Sequence, residues 1–174
     1  MSSYDGRVYL HNPTKYTLLH TLEIPTKNTG VIRFDFSRDS TVLRVATSAN
    51  ELMCFSVEDR QVIVSPNATR DVEWSTTTCP YTWMTQGSVR PTVEGITICA
   101  VCVSPRNDYV LVSYINGDVR LYNFPCQTAE SQYLLIRGVA TQASRLCFSS
   151  DGKYLLVLDT FTRALLQYKI DKIK

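Results

Sequence analysis

The sequence predicts an all-β fold, a partial β-propeller of about three and a half four-stranded blades. Three observations lead to this prediction. A strand–turn–strand pattern recurs along the 174 residues, the inner strands are apolar on both faces, and no helical periodicity of useful length competes. Ten tyrosines and many β-branched residues also favour strands over helices.

The recurrence is clearest in the strands that follow tight turns. They read VYLHN, LMCFS, VRLYN and LLQYK, and aligning His11, Phe55, Tyr122 and Tyr168 gives spacings of 44, 67 and 46 residues. Two of these spacings lie near the period of about 40–45 residues that is typical of propeller blades. The middle spacing therefore indicates an insertion of about 20 residues.

The strands that precede those turns repeat as well. VIRFDF, ICAVCV and SRLCF each lead into a serine and a turn, after which TVLRVAT, DYVLVSY and KYLLVLD continue. Because the inner strands are apolar on both faces, we expect them to lie between neighbouring sheets, as radially packed blades require. Outer strands are predicted at 17–24, 61–65 and 133–137, so that each unit holds four short strands.

The hairpin turns carry residues that tolerate positive φ. Asp5-Gly6 and Asn116-Gly117 predict type I′ turns, in which both central residues have positive φ. Asn50 occupies the matching position of the second unit and tolerates that geometry, whereas Arg163 in the fourth unit does not favour it.

These elements predict a single partial propeller in four portions. They are the end of one blade at 1–28, a second blade at 29–66, a third blade at 67–138 with an insertion at 71–95, and an incomplete last blade at 139–174. Half of a ring leaves apolar faces and strand edges exposed. We therefore expect the remaining half of the propeller to come from the same or another chain.

Three stretches carry a resemblance to a known family. The pattern as a whole resembles WD repeats, and RDVEWSTTTC (70–79) resembles the Trp-Ala-Thr-x-Thr-Cys segment of the echinoderm microtubule-associated protein-like family. VRLYNFPC (119–126) is similar to the strand of that family that ends in aromatic-Pro-Cys, and ALLQYKI (164–170) is similar to its final strand. The chain departs from the family where Pro80 and Tyr81 replace the usual Leu-Gly.

The resemblance, which runs from about residue 30 to residue 174, implies a function. It implies a non-catalytic scaffold that associates with tubulin, microtubules or axonemal proteins, in the cytoplasm and its cytoskeleton and in a cilium or flagellum. The alternative is a generic WD-repeat interaction module of an unrelated complex. An enzyme domain is a third hypothesis, but the sequence supplies no cluster of polar residues for it.

Composition argues against several other classes. The net charge of +2, without a basic run, predicts no nucleic-acid partner. The sequence contains no stretch of about 18 apolar residues, so it predicts no membrane span. The polar N-terminus predicts no signal peptide. The six scattered cysteines are interpreted as reduced thiols in a cytosolic protein.

No residue pattern predicts catalysis, a cofactor or a metal. Cys99 and Cys102 lie three apart on a strand, so their side chains should point to opposite faces. Neither His11 nor His20 has a spaced acid or nucleophile beside it. No second cysteine pair or nearby histidine completes a tetrahedral site.

The insertion supplies the candidate partner contacts, which are Tyr81, Trp83, Met84 and Arg90. Tyr, Trp and Arg dominate interface hot spots, and binding residues collect on loops that a rigid scaffold displays. The insertion could instead fold back onto the propeller. Trp74 is expected to be a core residue beneath it.

Overall fold

The computed structural model describes residues 4–89, 97–139, 143–159 and 161–170. In these residues the regular structure is β-strand, apart from two 3₁₀ helices at Pro66–Thr69 and Gln86–Ser88. The predicted all-β fold is confirmed. None of the described helices has the length and apolar character needed to cross a bilayer. The chain divides into two compact units, the first ending at Cys79 and the second beginning at Pro80.

The first unit contains two antiparallel sheets. Strands β1 and β2 pair in one sheet, and β3, β4 and β5 pair in sequence order in the other. The strands are β1 (Arg7–His11), β2 (Leu18–Glu23), β3 (Val31–Phe36), β4 (Val42–Thr47) and β5 (Leu52–Ser56). One core cluster joins the two sheets, with Val8 and Leu22 packing together with Leu43, Val45 and Phe55.

The second unit contains a four-stranded and a three-stranded antiparallel sheet, ordered β6-β7-β8-β9 and β10-β11-β12. The strands are β6 (Ile98–Val103), β7 (Tyr109–Tyr114), β8 (Val119–Asn123), β9 (Tyr133–Ile136), β10 (Ala143–Phe148), β11 (Tyr154–Asp159) and β12 (Ala164–Lys169).

The four-stranded sheet is apolar on both faces. Val110 and Val112 of β7 belong to one buried cluster, whereas Leu111 between them belongs to another. Leu111 packs with Phe148 and Val157 of the three-stranded sheet. Because successive strand residues point to opposite faces, a strand can feed two cores only when both of its faces are covered.

The hairpin loops differ from the predicted type I′ turns. Tyr114 N–H donates to the Asp118 carbonyl oxygen at 2.9 Å, which encloses a three-residue loop with positive φ (91°) at Gly117. Gly6 (79°) likewise has positive φ, whereas Asp5 and Asn116 do not. A three-residue loop needs only its last residue in the left-handed region, so type I′ geometry is not required.

The same rule accounts for Asn50, which is the last residue of the three-residue loop between Thr47 and Glu51. Asn50 has φ of 61° and Arg163 has φ of 58°. Arg163 has positive φ in a longer loop, since Asp159 lies opposite Ala164 and residues 160–163 separate them. The carboxylate of Asp159 accepts hydrogen bonds from the N–H groups of Phe161 (3.0 Å) and Thr162 (3.2 Å), and these bonds hold the turn.

A serine–aspartate pair closes the hairpin between β3 and β4 and the hairpin between β10 and β11. The hydroxyl of Ser149 donates to Asp151 at 2.6 Å and accepts from Tyr154 N–H at 2.9 Å. Ser37 and Asp39 make the equivalent bonds, at 2.5 Å to Asp39 and 2.9 Å from Val42 N–H. These pairs place the turn beside the serine that ends each inner strand, as the sequence predicts.

The predicted outer strand at 61–65 is not a regular strand. Val62 forms an isolated bridge with Phe55, supported by a hydrogen bond from Ile63 N–H to the Cys54 carbonyl oxygen at 2.7 Å. The side chain of Val64 is 88% exposed and therefore does not pack on the sheet. Pairing ends before the 3₁₀ helix at 66–69, and the sheet β3-β4-β5 has three strands.

A buried ion pair lies on the opposite face of β3 and β4 from the core cluster. Nε of Arg44 donates to a carboxylate oxygen of Asp35 at 2.9 Å, and the two side chains are 3% and 0% exposed. Nη2 of Arg44 donates to the Thr76 carbonyl oxygen at 3.2 Å. Its guanidinium carbon also lies 4.1 Å from the centre of the Trp74 ring.

Asp35 accepts four further hydrogen bonds from residues of segment 74–79. The hydroxyl groups of Thr76 (2.5 Å) and Thr78 (2.9 Å) donate to it, as do the backbone N–H groups of Thr78 (3.0 Å) and Cys79 (2.9 Å). A buried carboxylate is tolerated only when its charge and lone pairs are satisfied in this way. The ion pair therefore fastens segment 74–79 to the sheet.

We predict that Asp35→Asn lowers the free energy of unfolding by about 3–5 kcal/mol, because Arg44 becomes a buried charge without its counter-ion. Urea unfolding of the full chain, followed by circular dichroism, measures the change. Glu73→Gln is the control, since Glu73 pairs with Arg38 at the surface (3.2 Å) and its loss should cost less than about 1 kcal/mol. Equal effects of the two substitutions would contradict the prediction.

The same carboxylate predicts a pH dependence. Burial raises the pKa of Asp35, but the Arg44 guanidinium and the hydrogen bonds from segment 74–79 outweigh it, so the pKa lies below its ordinary value. A lowered pKa in the folded state means that the stabilisation is present above the unfolded pKa of about 3.9 and is lost as the pH falls through the folded pKa. Unfolding measured between pH 6 and pH 2 should show a smaller acid-induced loss in Asp35→Asn than in the unaltered chain.

Candidate functional site

Segment 80–89 of the insertion covers one face of the four-stranded sheet. Tyr81, with φ of 65°, and Val89 are partly buried and pack against the cluster that contains Val110 and Val112. These contacts place both ends of segment 80–89 on the sheet. The segment is therefore part of the core of the second unit.

Buried hydroxyl groups fix the shape of this segment. The hydroxyl oxygens of Thr82 and Thr85 lie 3.0 Å apart, and the Ser88 hydroxyl donates to the Thr85 carbonyl oxygen at 2.7 Å. Thr85 N–H donates to the Thr82 carbonyl oxygen at 3.0 Å. All three side chains are buried, so the hydrogen bonds they make within the segment satisfy groups that water does not reach.

The segment lies on the turn that follows β8. Cys126 N–H donates to the Met84 carbonyl oxygen at 2.8 Å, and Gly87 N–H donates to the Cys126 carbonyl oxygen at 2.9 Å. A Cβ atom on Gly87 would lie 2.3 Å from the carbonyl oxygen of Thr128. Only glycine permits this approach of the two backbones.

An aromatic cluster holds the other side of the segment. The Tyr114 hydroxyl donates to the Ser88 carbonyl oxygen at 2.8 Å and lies 2.9 Å from the Tyr122 hydroxyl. Burial, together with the Tyr122 hydrogen bond, raises the pKa of Tyr114 far above its ordinary value. The guanidinium of Arg120 lies 4.7 Å from the Tyr114 ring and 4.5 Å from the Tyr133 ring.

The three predicted contact residues that the structure describes fall into two environments. Tyr81 is half-buried against the core, whereas Trp83 and Met84 are 52% and 37% exposed. Arg90 lies outside the described residues. The segment thus folds back onto the sheet, as the alternative interpretation expected, and it still presents Trp83 and Met84 on its outer side.

Trp74 is not a core residue beneath the insertion. Its half-buried ring stacks on the Arg44 guanidinium in the first unit. The ring covers the ion pair of Asp35 and Arg44 from solvent. The expected position was wrong because the partner of the ring, Arg44, lies 30 residues earlier in the sequence.

The described residues contain no group of three or more His, Cys, Asp or Glu side chains arranged to hold a metal ion. His11 lies at the end of β1 and His20 lies in β2, opposite Leu10. Cys102 packs at the interface with the three-stranded sheet, whereas the Cys99 thiol is directed to the Thr97 carbonyl oxygen at 3.8 Å.

All six cysteines are free thiols. Cys79 is fully buried, and its thiol donates to the Arg44 carbonyl oxygen at 3.8 Å. Burial, reinforced by the nearby Asp35 carboxylate, raises the pKa of Cys79 well above its ordinary value. This thiol is therefore protonated at neutral pH and unreactive while it remains enclosed.

Sequence reasoning missed the ion pair of Asp35 and Arg44. The available signal was the position of the two charges, each inside an otherwise apolar strand, in VIRFDF and VLRVAT. Charged residues at such positions are almost never fully buried unless they are paired. Segment 74–79, which completes the site, lies about 40 residues further along the chain.

The comparison with protein families gives one match over nearly the whole chain. The family model of the second β-propeller of echinoderm microtubule-associated proteins matches residues 1–170. The match includes the first hairpin, which lies before residue 30, where the resemblance read from the sequence begins.

Curated relatives agree with this match. A ciliary WD repeat-containing protein of Euplotoides octocarinatus, ctxp80, is 27% identical over 97% of this chain and 23% of its own length. Echinoderm microtubule-associated protein-like 1 of Homo sapiens is 21% identical over 98% of this chain and 21% of its own length. The chain thus spans less than a quarter of the length of these two relatives.

A solved structure supports the same fold. The β-propeller domain of Myceliophteria thermophila Cps50 (Swd1) superposes with a TM-score of 0.52 at 10% sequence identity, covering 98% of this chain and 49% of that one. The fold is accordingly a partial WD-repeat β-propeller. The family match over residues 1–170 shows that the chain belongs to the echinoderm microtubule-associated protein family, in the portion that forms the second β-propeller.

Proposed function

We propose that this chain is a non-catalytic interaction part of a propeller that associates with microtubules or axonemal proteins. The support is family membership, together with relatives that are named as microtubule-associated and as ciliary. The corresponding location is the cytoplasmic cytoskeleton, including the axoneme of a cilium or flagellum. Strands that complete the propeller, from the same or another chain, are part of the proposal.

The observation that carries the proposed contact surface is the exposure of Trp83 on a segment that is otherwise fixed. Thr82 before it and Thr85 after it are buried and bonded to each other, so the backbone at Trp83 and Met84 is held in place. Because its backbone is already held, an aromatic residue here loses less conformational entropy when a partner covers it. We propose Trp83 and Met84 as partner contacts, with Arg90 further along the insertion.

We predict that the full chain co-sediments with polymerised tubulin and that Trp83→Ala/Met84→Ala weakens this binding at least about tenfold. A buried interface tryptophan commonly contributes about 2 kcal/mol or more, which exceeds the roughly 1.4 kcal/mol of a tenfold change. Phe161→Ala is the control, because Phe161 is 86% exposed and lies outside the insertion. Its binding should stay within about twofold of the unaltered chain.

Three outcomes separate the parts of this proposal. If the unaltered chain does not co-sediment, the microtubule partner is wrong and a generic interaction module is favoured. If the chain binds but the double variant binds equally well, the contact surface lies elsewhere. If the Phe161→Ala control weakens binding as much as the double variant, the effect is not specific to the insertion.

We also predict that Gly87→Ala loosens the insertion. The added Cβ would meet the Thr128 carbonyl oxygen at 2.3 Å, and such overpacking costs about 1–3 kcal/mol. Chymotrypsin should then cleave after Trp83 faster than in the unaltered chain. Gly152→Ala is the control, since a Cβ there would lie 3.9 Å from Cδ of Pro105, an ordinary van der Waals contact, and only the positive φ (70°) opposes it. Unchanged cleavage of Gly87→Ala would show that the segment is not held at this point.

A further inference from the structure

The connection between β5 and segment 74–79 carries a serine that is followed by proline, Ser65-Pro66. The connection leaves the sheet after the isolated bridge of Val62 with β5. Side chains on both sides of the proline are then exposed to solvent, namely those of Val64, Ser65, Asn67, Ala68 and Arg70. Exposed connections of this kind are the parts of a domain that modifying enzymes reach without unfolding it.

The fold does not use the hydroxyl group of Ser65. This residue precedes the 3₁₀ helix Pro66–Thr69, and its side chain makes no capping hydrogen bond there. The turn is held by the main chain, since Ala68 N–H donates to the Ser65 carbonyl oxygen at 3.1 Å. The backbone of Ser65 is extended, with φ of −81° and ψ of 114°, as a following proline favours.

The same dipeptide occurs once more, at Ser104-Pro105, in a contrasting environment. Ser104 follows β6 and is only 6% exposed. Its hydroxyl oxygen accepts hydrogen bonds from the N–H groups of Asp108 and Tyr109, both at 3.0 Å. Withdrawing this side chain would leave those groups without a partner. The chain therefore carries one accessible and one enclosed copy of the dipeptide.

The surroundings of Ser65 contain no charge that an enzyme could read. Residues 61–69 are QVIVSPNAT, and the nearest charged residues, Arg60 and Arg70, lie five positions away on either side. Protein kinases that select basic or acidic substrates do so through ion pairs with side chains close to the modified serine. Proline at the next position is the remaining recognition feature.

We propose that Ser65 is a phosphorylation site for a proline-directed serine/threonine protein kinase. The hydroxyl oxygen attacks the γ-phosphorus of magnesium-bound ATP, an oxygen–phosphorus bond forms, and the bond to the β,γ-bridging oxygen breaks to release ADP. A carboxylate of the kinase accepts the hydroxyl proton. The inference goes beyond the proposed function and does not depend on the microtubule partner.

The phosphate would stay at the surface. It adds about −1.5 to −2 charges at pH 7 to a stretch of nine residues that has none. Because the Ser65 hydroxyl supports no capping bond, its modification leaves the hydrogen bonds of the fold in place. The charged group is then available to arginine or lysine side chains of a partner.

The test incubates the full chain with a purified mitogen-activated protein kinase and magnesium ATP. Intact-mass spectrometry counts the phosphates, and tandem mass spectrometry of peptides locates them. We expect one phosphate per chain, on Ser65. The phosphorylated and unmodified chains should have the same midpoint of urea unfolding, because the fold does not use this hydroxyl.

Peptides with the sequences of residues 60–70 and 99–109 are the matched controls, since neither encloses its serine. The rate on the folded chain is divided by the rate on the corresponding peptide. This ratio should lie within about threefold of one for Ser65 and below about one tenth for Ser104, whose modification requires local opening.

Three variants test the recognition. Ser65→Ala should remove the phosphate, and Pro66→Ala should slow its transfer at least about tenfold, because the kinase selects the proline. Asn67→Ala is the control, since Asn67 is exposed and neighbours the dipeptide. Its rate should stay within about twofold of the unaltered chain. Circular dichroism verifies that each variant is folded.

Five outcomes would overturn the inference. They are no phosphate on the folded chain, a phosphate that survives Ser65→Ala, an unchanged rate in Pro66→Ala, equal ratios for the two serines, and a lowered urea midpoint after phosphorylation. Failure to co-sediment with tubulin would leave the phosphorylation result intact, so the two proposals fail separately.

Discussion

A sheet that is apolar on both faces needs a cover on each, and this constraint accounts for most of the architecture. In the second unit, the four-stranded sheet is covered on one face by β10-β11-β12 and on the other by segment 80–89. In the first unit, β3-β4-β5 packs on the sheet β1-β2, and segment 74–79 lies on its other face. Both segments belong to the insertion that breaks the repeat, which is therefore a structural part of each unit.

The two covers use different chemistry. Segment 80–89 combines apolar contacts with buried hydroxyl groups, and its tolerance for change is limited by the close approach of Gly87 to Thr128. Segment 74–79 pairs with the end of β3 through Ser75 N–H, which donates to the Phe36 carbonyl oxygen at 2.8 Å, and its later residues donate to the carboxylate of Asp35, whose charge Arg44 balances. Charged anchoring specifies a single register, because a shift of one residue would leave the carboxylate unsatisfied.

The strands and their order could be predicted from sequence because alternation and turn residues are local signals. The predictions failed where the decisive partner is distant. The burial of the Asp35 carboxylate is explained by its hydrogen bonds from Thr78 and Cys79. The position of Trp74 is explained by its contact with Arg44. Trp83 could be named as a candidate from its residue type, but its exposure depends on how the neighbouring threonines are buried.

The rate at which a reagent modifies the buried Cys79 thiol reports how often segment 74–79 opens. The sulfur lies under the same segment that the ion pair fastens, and a thiol reagent reaches it only after that segment detaches. Cys147, which is exposed, reacts without such an opening and provides an internal reference. The ratio of the two modification rates reports the equilibrium between the closed and locally opened states, so one buried side chain serves as a reporter of local unfolding.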